Sequence, residues 1–187
     1  MDCKKNVITC KIFKDEIEAI SIDRSKASFQ WIDAALHADP ERMEKEIARM
    51  VTQIDQVKNI RFLFGNGCHP DMCEIAKKAG AGLPPEKNCI HAFLGAAQAK
   101  ALEENRTMIV SPGWIEAWGG IMEGLGWDET DVRINLGRYD RILLLDPEIV
   151  ALNEETLLEF FDLVQVPIET MKLELTYFKN FVNKVIK

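Results

Sequence analysis

The chain has 187 residues, 47% hydrophobic and 28% charged, with a formal net charge of −7. That composition suits a globular fold with a real core and excludes disordered and collagen-like classes. The acidic balance, with a pI of about 5.1, argues against nucleic acid or an anionic membrane as partner, since both call for basic patches.

No apolar run approaches the roughly 18 residues of a membrane span. The opening MDCKKNVITCKIF has neither a long apolar segment nor a small-residue cleavage site. The expectation is a cytoplasmic protein of one domain, 1–187. In that compartment the five cysteines are thiols or ligands rather than structural disulfides. Cys3 falls in a terminus expected to fray.

In chain order, Val7–Ile12 is the first buried-strand candidate. Residues 13–38 are harder to place; they can hold an edge strand at Ala19–Ile22 and a short helix around Trp31–Leu36. Asp39 then reads as an N-cap with Pro40 at the first helical position. Met43, Ile47, Met50 and Ile54 make one helical stripe behind it. Ile60–Phe64 is the second strong strand. It runs into GNGCHPD, where Pro70 at a helix start would make His69 the cap and put Cys73 about one turn inside, able to face the core. NCIHAFLGAAQAKALEE reads as a buried Ala-rich helix opened by Cys89. Thr107–Val110 is a strand ending in SPGW, followed by a stripe of Ile115, Trp118, Met122 and Leu125. Ile142–Leu145 follows. Asn153 caps a helix carrying Leu157, Leu158, Phe161 and Leu163. After a strand at Glu169–Leu173, Thr176 caps a helix with Phe178, Phe181, Val182 and Val185 facing in.

Strands alternating with helices imply right-handed crossovers and a parallel sheet covered on both faces. The expected class is α/β: a three-layer, Rossmann-like sandwich with a mainly parallel sheet of about five strands. Ligands in such folds bind beyond the carboxyl ends of the strands. Cys10–Lys11, Gly65–His69, Ser111–Trp114 and Asp146–Pro147 are predicted to gather there.

Cys10, Cys68 and Cys89 come from three separate segments, and three thiols at one rim make a candidate metal or cluster site. In the first turn of a helix, the Cys89 thiol would have a lowered pKa. His69 and His91 are the candidate imidazole ligands. Each cysteine can equally be a small core residue, and no C-x2-C pair marks a metal knuckle. Gly65 and Gly67 allow either a tight turn or close approach to an anion. Ser111, Gly113 and Trp114 can wall a ligand pocket or cover the sheet end. No GxGxxG, Walker, GxSxG or HExxH motif specifies a reaction.

The segments VITCKIFKDEI, LHADPERM, FLFGNGCHPDM, NCIHAFLG, VSPGWIEAW and YDRILLLD, in this order, resemble domain-of-unknown-function family 1638 (DUF1638). The likeness spans roughly residues 7–146 and extends toward the tail. Its pattern is a cysteine after the first strand, a glycine-flanked cysteine after the second, an aspartate–cysteine pair before an apolar helix, and a Pro-Gly-Trp turn. Here these fall on Cys10, Cys68, Cys89 and Pro112–Trp114. Two positions depart from it: Lys11 stands where the family often has glycine, and Asn88 replaces the aspartate. The resemblance implies a protein of methanogens or other anaerobes, associated with corrinoid-dependent methyltransferase systems. It strengthens the three-thiol reading, with zinc or an iron–sulfur cluster as the cofactor. The alternative is a metal-free module or enzyme that holds a small anion at the Gly65–His69 turn and Trp114. The oligomeric state is not legible.

Overall fold

The computed structural model describes residues 4–54, 59–151 and 153–187; Cys3 lies outside them. Strand β1 (Lys5–Cys10) leads through a 3₁₀ turn at Lys11–Phe13 into α1 (Lys14–Ala19). Strand β2 (Ala27–Ile32) is followed by a 3₁₀ turn at Ala34–Ala38 and by α2 (Pro40–Thr52). After β3 (Ile60–Leu63) come α3 (Met72–Lys78), α4 (Cys89–Leu94) and α5 (Ala96–Glu103). After β4 (Thr107–Val110) come α6 (Pro112–Glu116), α7 (Trp118–Leu125) and α8 (Glu129–Leu136). Strand β5 (Arg141–Asp146), α9 (Glu154–Val164), β6 (Ile168–Lys172) and α10 (Thr176–Val185) follow.

The fold is α/β and its strand pairs are parallel. In place of one sheet of about five strands, the pairing forms two three-stranded sheets, ordered β2-β1-β3 and β4-β5-β6. The outer side of β3 is already occupied. Gly82 bridges to Arg61, and its carbonyl accepts the Phe62 N–H at 2.8 Å. That leaves no room there for β4 to extend the first sheet.

Two apolar cores result. The larger is built on β1 and β3, with Phe13, Phe93 and Phe178 in mutual contact at ring centroid distances of 4.9–5.3 Å. Phe178 comes from α10, so the tail of the chain returns to the first sheet. Leu145 and Leu173 of the second sheet's region belong to this core too. The smaller core joins Ile142, Leu144, Ile115, Trp118 and Phe160. Where the halves meet, α7 lies on the Ala34–Ala38 turn. A Cβ at Gly120 would stand 3.0 Å from Ala35 Cβ, and one at Gly124 would stand 2.8 Å from Ala38 Cβ.

Several caps form as the residue types dictate. Asp39 accepts the Arg42 N–H ahead of α2, and Asn153 accepts the Glu155 and Thr156 N–H groups ahead of α9. Other expectations need correction. The second strand is Ala27–Ile32, not Ala19–Ile22, and Trp31 lies in it rather than in a helix. Ala19 ends α1, while the β-branched and aromatic character of ASFQWI favours an extended chain. The NCIHAFLGAAQAKALEE segment is two helices, broken at Gly95 with φ +80°. On α9 the buried stripe is Phe160 and Val164, whereas Leu158 and Phe161 are exposed. Leu125, at the end of α7, is exposed as well.

Candidate functional site

Cys10 ends the central strand of the first sheet and is 3% exposed. The ladder between β1 and β3 ends with Thr9 opposite Leu63, where the Thr9 hydroxyl donates to the Leu63 carbonyl at 3.0 Å. Parallel pairing thus sends Cys10 and the chain beyond Leu63 to the same edge.

That chain is the glycine turn. Asn66 N–H donates to Glu86 O and Gly67 N–H to Lys87 O, both at 2.9 Å, and Cys68 N–H donates to Gly65 O at 3.1 Å. The Asn66 side-chain amide adds a bond to Pro85 O at 3.1 Å. A Cβ on Gly65 would sit 2.2 Å from Lys87 O and 2.4 Å from Asn88 Cα. Only glycine lets the turn lie this close to residues 85–88, and those residues lead directly to Cys89. Asn88 caps α4 by accepting the His91 N–H at 2.9 Å, which fixes Cys89 as the first helical residue.

The turn therefore brings Cys68 to Cys89, and the sheet brings both to Cys10. Burial pushes the Cys10 thiol up to about 12; the Cys68 sulfur and Asp33 add to this, against the Ile12 N–H and Lys11. Burial likewise pushes Cys68 up to about 11, against a hydrogen bond with the Gly65 backbone. The Cys89 thiol is raised by burial first, then by Cys68 and Cys10, although part of that residue's surface remains exposed. The three sulfurs are thus within electrostatic reach of one another. The lowering expected for Cys89 from its helix end does not occur. Helix α4 has only six residues, so its dipole is weak, and loss of water wins.

Cys73 is exposed near the start of α3 rather than turned to the core. The helix starts at Met72, with Asp71 at the cap position in place of His69. His69 is itself buried and ties two segments together. Its Nδ1 accepts the Asp71 N–H at 2.9 Å, so Nε2 carries the proton and donates to Pro40 O at 3.1 Å. Both ring nitrogens are thereby engaged. His91 lies two residues beyond Cys89 on α4 and is half-buried.

Of the remaining candidates, Gly65 and Gly67 face the 85–88 segment, and the amides of Asn66, Gly67 and Cys68 are used internally. Gly113 presses on the Lys11–Phe13 turn, where a Cβ would stand 3.0 Å from Ile12 O. Ser111 is fully buried, and among the described residues its hydroxyl has no hydrogen-bond partner. Trp114 turns inward against Trp118 and Phe160, at centroid distances of 4.8 and 6.1 Å. The SPGW turn thus joins the two halves rather than standing open at the rim.

One residue escaped the sequence reading. Glu16 is 2% exposed, and burial followed by Asp15 and Glu116 raises its carboxyl to about 7. Its signal was an acid on the apolar stripe Phe13, Glu16, Ile17 and Ile20.

Among the described residues, no group of three or more His, Cys, Asp or Glu side chains is placed so that it could hold a metal ion, and no helix is long and apolar enough to cross a membrane. Comparison with curated proteins and with solved structures gives no match. A family model described as a protein of unknown function, DUF1638, matches residues 31–182. That match covers the glycine turn, Cys68, Cys89 and the SPGW turn, and on it the chain belongs to the DUF1638 family.

Proposed function

We propose that Cys10, Cys68 and Cys89 together bind zinc or an iron–sulfur cluster at the carboxyl edge of β1 and β3. The observation that carries this reading is geometric: the β1–β3 ladder and the turn's bonds to Glu86 and Lys87 send Cys10, Cys68 and Cys89, from three distant segments, to one edge. A glycine turn that no other residue could form holds two of those segments together. With their pKa values raised, these thiols are neutral at pH 7. A bound cation is what makes such groups thiolates, and thiolates select zinc or iron–sulfur clusters. His91 or an exogenous ligand completes the coordination. His69 could do so only by giving up a backbone hydrogen bond.

The proposal keeps the setting implied by the resemblance, an accessory protein or enzyme of corrinoid-dependent methyl-group metabolism in a reducing cytoplasm. The rival reading, an anion cradled by the Gly65–His69 turn beside Trp114, lacks donors. The turn's amides are bonded internally and Trp114 is packed in the second core.

Elemental analysis of protein purified without oxygen tests the proposal. Near-stoichiometric zinc or iron is expected, lost in Cys68→Ser and retained in Cys73→Ser. Protein free of both metals, or loss confined to Cys73→Ser, would contradict it.

A further inference from the structure

On the outer side of β3, the segment from Gly82 to Glu86 and helix α10 enclose a pocket of about 310 Å³. Pro84, Pro85 and Phe181 give it an apolar lining, and Arg61, Glu86 and Lys184 supply its charges. A largely apolar space with a few polar groups is the usual make-up of a small-molecule site.

Arg61 is half-buried and held in place. Its Nη1 donates to Ile60 O at 3.0 Å. Its side chain lies over Gly82, where an added Cβ would stand 3.1 Å from Arg61 Cδ and 3.6 Å from Nε. Glycine at this position thus leaves Arg61 its seat. Yet among the described residues no carboxylate pairs with this guanidinium, nor with the Lys184 ammonium. Burying part of a cation costs hydration that an acid would offset. Glu86, the one acid in the lining among the described residues, does not serve. Its own Oε2 is closed off from water and has no hydrogen-bond partner. An orphaned carboxylate oxygen is rare because nothing replaces the water it has lost. Opposite charges therefore share one pocket without satisfying each other. A simple carboxylate would answer Arg61 and leave Glu86 unserved, and a simple amine would do the reverse.

We infer that this pocket binds an α-amino acid with an apolar side chain, as its zwitterion. The ligand carboxylate takes the planar fork of Arg61, a geometry suited to two parallel N–H···O bonds, with exposed Lys184 beside it. The ligand ammonium donates to the Glu86 carboxylate. The terminal torsion of a glutamate is broad, so a turn about it presents the orphaned oxygen. The ligand's side chain lies against Pro84, Pro85 and Phe181. The inference does not rest on the thiol site.

Titration of the ¹⁵N-labelled full chain with L-phenylalanine, followed by ¹H–¹⁵N NMR, tests it. The amides of Gly82, Leu83, Glu86 and Lys184 should shift and saturate with a Kd of about 1 mM or tighter. 3-Phenylpropionate lacks the ammonium and phenethylamine lacks the carboxylate; each should bind at least about tenfold more weakly. Glu86→Gln should narrow the gap between L-phenylalanine and 3-phenylpropionate, and Arg61→Gln the gap between L-phenylalanine and phenethylamine. The comparison of the three ligands on the parent protein needs no variant to fold. No saturable shift at these amides, equal affinity for the three ligands, or a gap to 3-phenylpropionate that survives Glu86→Gln would overturn the inference.

Discussion

Gly65→Ala probes the device that brings two of the thiols together. The added Cβ would meet Lys87 O at 2.2 Å, Asn88 Cα at 2.4 Å and Asn88 N at 2.5 Å, all of them backbone. Non-bonded atoms settle near 3.5 Å, so the segments must part by about 1 Å or more. The Asn66 to Glu86 and Gly67 to Lys87 bonds, both 2.9 Å, would then exceed hydrogen-bonding distance. Asn66 and Gly67 are exposed, so water offsets part of that loss, leaving about 0.5 kcal/mol for each bond. Overpacking adds about 1–3 kcal/mol. The total, about 2–4 kcal/mol, lowers Tm by roughly 5–15 °C for a chain of this length. Urea unfolding should show a lower midpoint with an unchanged slope. Gly119→Ala is the control, because nothing lies within 4 Å of its added Cβ; in a helix it should stabilise by about 0.5–1 kcal/mol. If Gly65→Ala unfolds within about 0.5 kcal/mol of the parent, the turn is not held as described.

Gly124→Ala should destabilise by about 1–3 kcal/mol, since its Cβ would meet Ala38 Cβ at 2.8 Å and force α7 from its seat; a stabilised variant would refute that packing. In metal-free protein, iodoacetamide followed by peptide mapping should find, of the four described cysteines, Cys73 modified first and well ahead of Cys10, in line with their exposure and the raised Cys10 pKa. Equal rates at the two sites would contradict the burial of Cys10. Glu16→Gln should alter the pH dependence of stability. Burial pushes the folded carboxyl up to about 7 from its ordinary 4.5. Its contribution is therefore fully present below pH 4.5 and is lost as pH rises through 7, by roughly 3 kcal/mol in all. The variant should gain stability relative to the parent between pH 5 and pH 8, and parallel curves would refute the raised value.

What the sequence made legible was local chemistry. Asp39 before Pro40 and Asn153 before Glu154 are caps whose residue types announce themselves, and both form as expected; Thr176, expected to cap α10, is instead its first residue, behind Leu175. The parallel α/β character followed from the alternation of apolar runs and helical stripes. Pairing between distant strands was not legible. That Gly82 rather than β4 takes the outer side of β3 depends on a loop whose composition, AGLPP, carries no strand signal. The convergence of Cys10, Cys68 and Cys89 was legible as three strand or helix ends, but the reason for it was not. A close approach such as Gly65 on Lys87 links positions 22 residues apart, and nothing in either segment alone names its partner. His69 looked free at the rim because its acceptor, Pro40 O, lies on another helix. Glu16 was passed over because residues 13–38 are hard to place and no helix is legible at Lys14–Ala19; its place in the apolar stripe was the overlooked sign.

X-ray absorption at the zinc or iron edge of protein purified without oxygen tests the central claim most directly. The account predicts three sulfur neighbours from the protein at about 2.3 Å, besides any sulfide of a cluster, and a spectrum unchanged by Cys73→Ser. A first shell of nitrogen and oxygen alone, or one that keeps all its sulfurs when Cys10 or Cys89 is replaced by serine, would contradict it.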